Sequence, residues 1–127
     1  MTTRPYSGIW PVAPTPFTET GVVDDDGMRR VIDCMIDQGC DGICILANFS
    51  EQFLISDAER AHLTRLCLEH VDGRIPVIVT ISHFATDIAV ARAREAKELG
   101  AAIVMMMAPY HGACLLYTSD AADDIRR

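Results

Sequence analysis

Lysine is almost missing from this sequence. Of 127 residues only Lys97 carries an amine side chain. It lies in the polar band Arg92, Arg94, Glu95, Lys97, Glu98, the pattern of a solvated helix face. A lysine that forms a Schiff base needs a dry pocket that lowers its pKa, so Lys97 is not read as a covalent catalyst. Positive charge is scarce altogether: 11 Lys and Arg stand against 18 Asp and Glu, a net charge of −7. That balance repels phosphate backbones and argues against a nucleic-acid partner. No apolar run approaches the ~20 residues of a membrane span. The longest, Ala101 to Pro109, is strand-sized, so no membrane partner is expected. The first residues, Met1 to Tyr6, lack the apolar core of a signal peptide, and the expected location is the cytoplasm. The five cysteines (Cys34, Cys40, Cys44, Cys67 and Cys114) form no C-x-x-C pair. Four sit in apolar segments and read as small buried hydrophobes of a reducing compartment, not as a zinc site. Missing too is a G-x-G-x-x-G after the first strand-like run, which removes support for a dinucleotide fold.

What is present alternates two kinds of segment. Gly8 to Ala13 is short and apolar. Asp25 to Gln38 carries Met28, Val31, Ile32, Met35 and Ile36 at helical spacing. The run Asp24, Asp25, Asp26 supplies its N-cap and suits the positive helix start, and Gly39 reads as the left-handed residue that ends it. Gly42 to Leu46 is a second apolar run. Ser56-Asp57-Ala58-Glu59 is a capping box that starts a second helix, with Leu63, Leu66 and Cys67 as its inner stripe and Gly73 as its break. Pro76 to Ile81 is β-branched and strand-like. Thr86 is read as the cap of a third helix with the small face Ala89, Ala93, Ala96, closed by Gly100. Ala102 to Met107 is the fourth apolar run. The order is βαβαβαβ, with strand starts about 30 residues apart, the size of a βαβ unit. Strands that are apolar throughout suit parallel pairing covered on both faces. A doubly wound open sheet and part of a (β/α)8 barrel both fit, and a full barrel typically needs ~250 residues.

Five ordered motifs carry a resemblance. Gly8-Ile9-Trp10-Pro11-Val12-Ala13-Pro14-Thr15-Pro16-Phe17 is similar to the G-x-x-x-A-x-x-T-P-F start of the dihydrodipicolinate synthase and N-acetylneuraminate lyase family. Ala47-Asn48-Phe49-Ser50-Glu51 corresponds to that family's G-T-T-G-E loop, and Ile55 to Arg60 to its L-S-x-x-E-R. Arg74 to Val79 resembles R-x-P-V-I-V, and Pro109-Tyr110-His111 resembles P-Y-Y. The resemblance covers residues 8 to about 113. It implies an α/β fold that is the N-terminal half of a (β/α)8 TIM barrel, three βα units plus a fourth strand, over residues 1–113. Two family hydroxyls are replaced, a threonine by Asn48 and a tyrosine by His111. The string from Ile45 to Arg60, with Pro109 to Ala113, resembles a narrower branch, the 2-keto-3-deoxy-L-arabonate dehydratases.

The resemblance implies a Schiff-base lyase acting on a small 2-keto acid, with no cofactor and no metal. The parent protein is expected to be a homotetramer. The lysine of the family lies on the sixth barrel strand, beyond this chain, so the chain by itself is expected to be inactive. Dehydration of 2-keto-3-deoxy-L-arabonate is the leading reading. A 4-hydroxy-tetrahydrodipicolinate synthase or another pyruvate-dependent aldolase is the alternative, and a non-catalytic binding module a further one. Active sites of such barrels lie at the C-terminal ends of the strands. There the carried-over residues are Asn48, Tyr110 and His111 for catalysis, and the backbone N–H groups of Phe49 and Ser50 for the substrate carboxylate. His111 suits proton handling because imidazole titrates near neutrality, whereas Tyr110 also reads as a packing residue. Ser50 either donates its hydroxyl or closes a turn. Glu51 reads as a structural carboxylate and His83 as a strand-end histidine. His83, His111 and Glu51 together make a chemically reasonable metal set, but without a local spacing motif. Residues 114–127 read as a non-native tail. Cys114 to Asp123 matches the translation of a transposon adapter used in sequencing libraries, and the tail is left out of the fold.

Overall fold

A computed structural model describes residues 6–108. Helix α1 spans Asp25–Asp37, strand β1 Ile43–Ile45, helix α2 Asp57–Val71, strand β2 Val77–Thr80, helix α3 Thr86–Glu98 and strand β3 Ile103–Met105. A single 3-10 turn, Asn48–Ser50, follows β1. The three strands are parallel and adjacent in chain order, β1-β2-β3. The register pairs Ile43 with Val77 and Ile78 with Ile103.

The first apolar run does not become a full strand. Val12 makes one parallel bridge to Cys44, through Ala13 N–H to Cys44 O at 2.8 Å and Cys44 N–H to Pro11 O at 2.9 Å. Pro11 has no N–H to donate, so the ladder cannot continue toward the N-terminus. Direction and position still match a first strand. The order is therefore this segment, then β1, β2 and β3, with no reversal. A doubly wound sheet reverses its strand order at a switch point, whereas a barrel adds each strand beside the last. The alternative left open by the sequence is settled for the barrel arrangement.

The helix ends follow their local chemistry. Asp24 Oδ1 accepts from Gly27 N–H at 2.9 Å and caps α1. Its other end is a Schellman motif: Cys40 N–H donates to Met35 O and Gly39 N–H to Ile36 O, with Gly39 at φ +80°. Ser56 and Glu59 form the capping box of α2, at 3.2 Å and 2.8 Å. The third cap differs from expectation. Thr86 is the first helical residue, and Ala85 occupies the cap position without a side-chain bond. His83 Nδ1 instead accepts from Ala85 N–H at 2.9 Å.

One face of the sheet carries the core. Ile43, Ile45, Val77 and Val79 pack with Met28, Ile32, Leu63, Leu66, Cys67, Val71 and Ala96 of the helices. Strand alternation puts Cys44, Ile78, Ile103 and Met105 on the opposite face, where Ile78, Ile103 and Met105 are only half-buried. Burial raises the Cys67 thiol to about 12, so it stays protonated and acts as a hydrophobe. Gly42 is required beside Trp10, since a Cβ there would lie 2.3 Å from the indole.

Two equally spaced carboxylate–imidazole hydrogen bonds clamp α1 to α2, Asp25 to His62 at 2.8 Å and Asp33 to His70 at 2.9 Å, and Arg74 pairs with Asp33 at 2.9 Å. The bond from Arg74, then that from His70, holds the Asp33 carboxyl below its ordinary value. A depressed carboxylate pKa contributes stability above the unfolded pKa, and the contribution is lost as pH falls through the folded one. Asp33→Asn in the full-length protein should therefore unfold at lower urea than wild type at neutral pH. The gap should close as pH drops below the ordinary carboxylate range. A gap independent of pH in urea titrations would remove the ionic explanation.

Candidate functional site

The segments that follow the strands gather at one end of the sheet, because parallel strands all point the same way. After β1 the chain turns sharply. Leu46 has φ +58° and Glu51 φ +59°, two left-handed residues that bracket the 3-10 turn Asn48–Ser50. Each such position costs ~1–3 kcal/mol for a residue with a side chain, and Leu46 is bulky and buried. Strain of this kind persists where surrounding contacts over-determine it.

Those contacts centre on Ser50. Its hydroxyl donates to Ala13 O at 2.6 Å and accepts from Ala47 N–H at 3.2 Å. Its carbonyl accepts from Thr15 Oγ1 at 2.8 Å, and its N–H donates to Ala47 O at 3.0 Å. Ser50 is 1% exposed. Its hydroxyl is thus spent inside the protein, and of the two readings of Ser50 the structural one describes this geometry. Phe49 stands beside it with an exposed ring, and its N–H donates to no acceptor among the described residues.

Asn48 is exposed. Its Oδ1 accepts from Gln52 Nε2 at 2.7 Å. Gln52 lies buried under the loop, and its Oε1 has no partner among the described residues. Glu51, exposed, makes no side-chain hydrogen bond or ion pair among the described residues. What it supplies is its backbone: the N–H donates to Asn48 O and the carbonyl accepts from Leu54 N–H.

After β2, Ser82 Oγ accepts from Met107 N–H at 2.9 Å and ties the next strand end to this one. His83 accepts from the backbone of Ala85, as a strand-end histidine would, and its ring meets Phe84 edge-on at 6.5 Å. Tyr110 and His111 lie outside the described residues, and so does any arrangement that includes them, the metal set of His83, His111 and Glu51 among these. Lys97 is exposed on α3, far in sequence from the strand-end loops.

Sequence reasoning missed Thr15, Gln52 and Arg60. Arg60 is 5% exposed, and its guanidinium donates to Thr80 O, fastening α2 to β2. Burial, then the nearby Arg92 charge, lowers it to about 10, which leaves it charged at neutral pH. It faces a cleft of about 340 Å³ between α2 and α3, on the helical side of the sheet. Thr15 and Arg60 stood within quoted motifs, T-P-F and E-R, and Gln52 within the string from Ile45 to Arg60. Polar residues inside a motif that repeats across a family are the available signal, but spacing alone does not say which are buried.

Parallel strands added in chain order, with helices between them, define part of a (β/α)8 barrel, and the strained, backbone-rich loop at the strand ends is the candidate site. The chain belongs to the dihydrodipicolinate synthetase family, whose model matches residues 5–115. It is 59% identical over 108 residues to an L-2-keto-3-deoxyarabonate dehydratase of Azospirillum brasilense, across 85% of this chain and 35% of that protein. It is 30% identical over 104 residues to a 4-hydroxy-tetrahydrodipicolinate synthase of Protochlamydia amoebophila, across 82% of this chain and 35% of that one. Among solved structures, YagE of Escherichia coli K12, a family member in complex with pyruvate, superposes with a TM-score of 0.83 at 27% identity, covering 94% of this chain and 42% of that one. The dihydrodipicolinate synthase of Aquifex aeolicus gives a TM-score of 0.83 at 27% identity, covering 89% and 38%. The chain spans 35% of the length of these two curated relatives.

Ser50→Ala in the full-length protein should lose both hydroxyl bonds and leave Ala13 O and Ala47 N–H buried without that partner. The expected cost is ~1–3 kcal/mol, read as a lower urea midpoint with unchanged slope. A wild-type midpoint would show that the loop is held by other means.

Proposed function

We propose that the full-length protein is a Schiff-base-forming lyase that dehydrates 2-keto-3-deoxy-L-arabonate to 2-oxoglutarate semialdehyde. The carrying observation is the 59% identity to the Azospirillum dehydratase over 108 residues, against 30% to the Protochlamydia synthase over 104 residues. The loop geometry supports it. A hydroxyl at position 48 would suit a proton relay, and this chain has a carboxamide there, which holds its N–H protons at neutral pH.

In this reading a lysine beyond the present chain condenses with the C2 ketone and releases water, giving an iminium. The iminium acidifies C3. Loss of a C3 proton yields an enamine, whose electron pair expels the C4 hydroxyl, protonated as it leaves, as a second water. Tautomerisation places the aldehyde at C5, and hydrolysis takes up one water and frees the lysine. Splitting the reaction through a covalent intermediate replaces one hard step by easier ones. The substrate carboxylate sits against the backbone donors of the loop after β1, with the Phe49 N–H open and Ser50 holding the turn; charge-assisted bonds to backbone N–H groups suit such an anion. His111 handles the proton, with Tyr110 beside it. The assembled protein is a homotetramer, located in the cytoplasm, and residues 114–127 are not part of the enzyme.

A coupled assay of the full-length protein with both substrate sets tests this. Formation of 2-oxoglutarate semialdehyde is expected, and condensation of pyruvate with aspartate semialdehyde is not. Robust condensation without dehydration would assign the synthase instead. Within the same enzyme, His111→Phe should lower kcat by ~10²-fold while borohydride still traps the lysine adduct; an unchanged kcat would make His111 a packing residue.

A further inference from the structure

We propose that Gln52 is a positioning residue: it locks the carboxamide of Asn48 so that both Asn48 N–H groups face the substrate as hydrogen-bond donors. The proposal rests on the dehydratase reading above and deepens it.

Three observations converge. Gln52 is 6% exposed, and its Nε2 donates to Asn48 Oδ1 at 2.7 Å. Once Oδ1 is taken from below, the planar amide directs Nδ2 away from Gln52, and Asn48 itself is exposed at the strand-end rim. Finally, Gln52 Oε1 is the one fully buried side-chain N or O atom without a partner among the described residues. A buried acceptor left unbonded is costly and calls for an explanation. Its presence also decides the orientation. With the Gln52 amide reversed, the buried end would be an NH2 group carrying two unmet donors in place of one unmet acceptor. The Glu51 turn makes this possible, since its φ of +59° bends the chain so that Gln52 folds beneath the loop.

The chemistry follows from the donor assignment. An amide N–H does not shuttle protons at neutral pH, so Asn48 binds and polarises. Its two donors match a substrate oxygen that gains negative charge as its bond to carbon breaks, such as the hydroxyl expelled from C4. Pre-oriented donors aimed at developing charge act on kcat more than on KM. Pyruvate has no such hydroxyl, so its Schiff base does not depend on this pair.

The test uses the full-length enzyme with Gln52→Met, Asn48→Ala and the double variant. Gln52→Met removes the orphaned acceptor with the bond, so its unfolding midpoint should not fall below wild type. Its kcat for dehydration should nonetheless fall ~10- to 100-fold, the scale of a misplaced catalytic contact. Asn48→Ala should fall at least as far, and the double variant no further, because the pair acts as a unit. Borohydride trapping of pyruvate should match wild type in Gln52→Met. A wild-type kcat in Gln52→Met, or losses that multiply in the double variant, would overturn the proposal. Should Gln52→Met fail to fold, Gln52→Glu reads the same relation: its acceptor-only carboxylate draws the Asn48 N–H groups inward, and kcat must fall or the proposal falls. A wild-type enzyme that traps pyruvate yet dehydrates nothing removes the functional reading and this inference together. Dehydration by wild type with unimpaired variants removes this inference alone.

Discussion

The scarcity of backbone donors in the first apolar segment is the constraint on which the site depends. Pro11, Pro14 and Pro16 remove three N–H groups from the six residues 11–16, and one parallel bridge to β1 is made there. A segment held so lightly by its ladder needs another fastening, and Ser50 supplies it by donating to Ala13 O while Thr15 Oγ1 donates back to Ser50 O. These bonds cross between the first segment and the loop after β1. They therefore hold the loop in the strained path set by Leu46 and Glu51. Loss of the fastening would release a turn whose two left-handed residues together cost ~2–6 kcal/mol. The donor-poor first segment and the strained loop after β1 are two sides of one arrangement.

Much of the fold was legible in the sequence, because it is written in local rules. Asp24, Gly39, Ser56 with Glu59, and Gly100 mark helix ends through bonds to residues three to five positions away. Met28 and Ile32, or Leu63 and Cys67, declare a buried face by spacing alone. The exceptions have physical causes. Thr86 looks like a cap, yet the nitrogen of His83 already accepts from the backbone at that helix start, a contact set by where β2 ends. Gly8 to Ala13 looks like a strand, and its direction is right, but proline removes the ladder bonds that would make it one.

The site was less legible because its decisive contacts span long stretches of chain. Ser50 meets Ala13 across 37 residues and Thr15 across 35. Arg60 reaches Thr80 across 20. No periodicity encodes such pairs. The family resemblance did place Asn48, Phe49 and Ser50 in one loop, and the structure brings them together there. It could not show that the Ser50 hydroxyl points inward to fasten the loop. Nor could it show that Gln52 donates to Asn48.

The replacement of a hydroxyl by a carboxamide at position 48 changes what the loop can do. A hydroxyl donates and accepts through one atom, so it passes a proton along a chain of partners. A carboxamide separates the two functions onto Oδ1 and Nδ2 and keeps its protons. Its value therefore depends on which end faces the reaction, a choice a hydroxyl never has to make. A carboxamide at this position is useful only with a second group that decides its orientation. That group must be buried, so that water does not compete for the bond, and must itself have a fixed direction. Gln52 meets both conditions, since its buried end leaves one acceptor unmet where the reversed amide would leave two donors. Under the proposed reading Asn48 and Gln52 form one unit, joined by their hydrogen bond, and a change at one position of such a pair alters the meaning of the other.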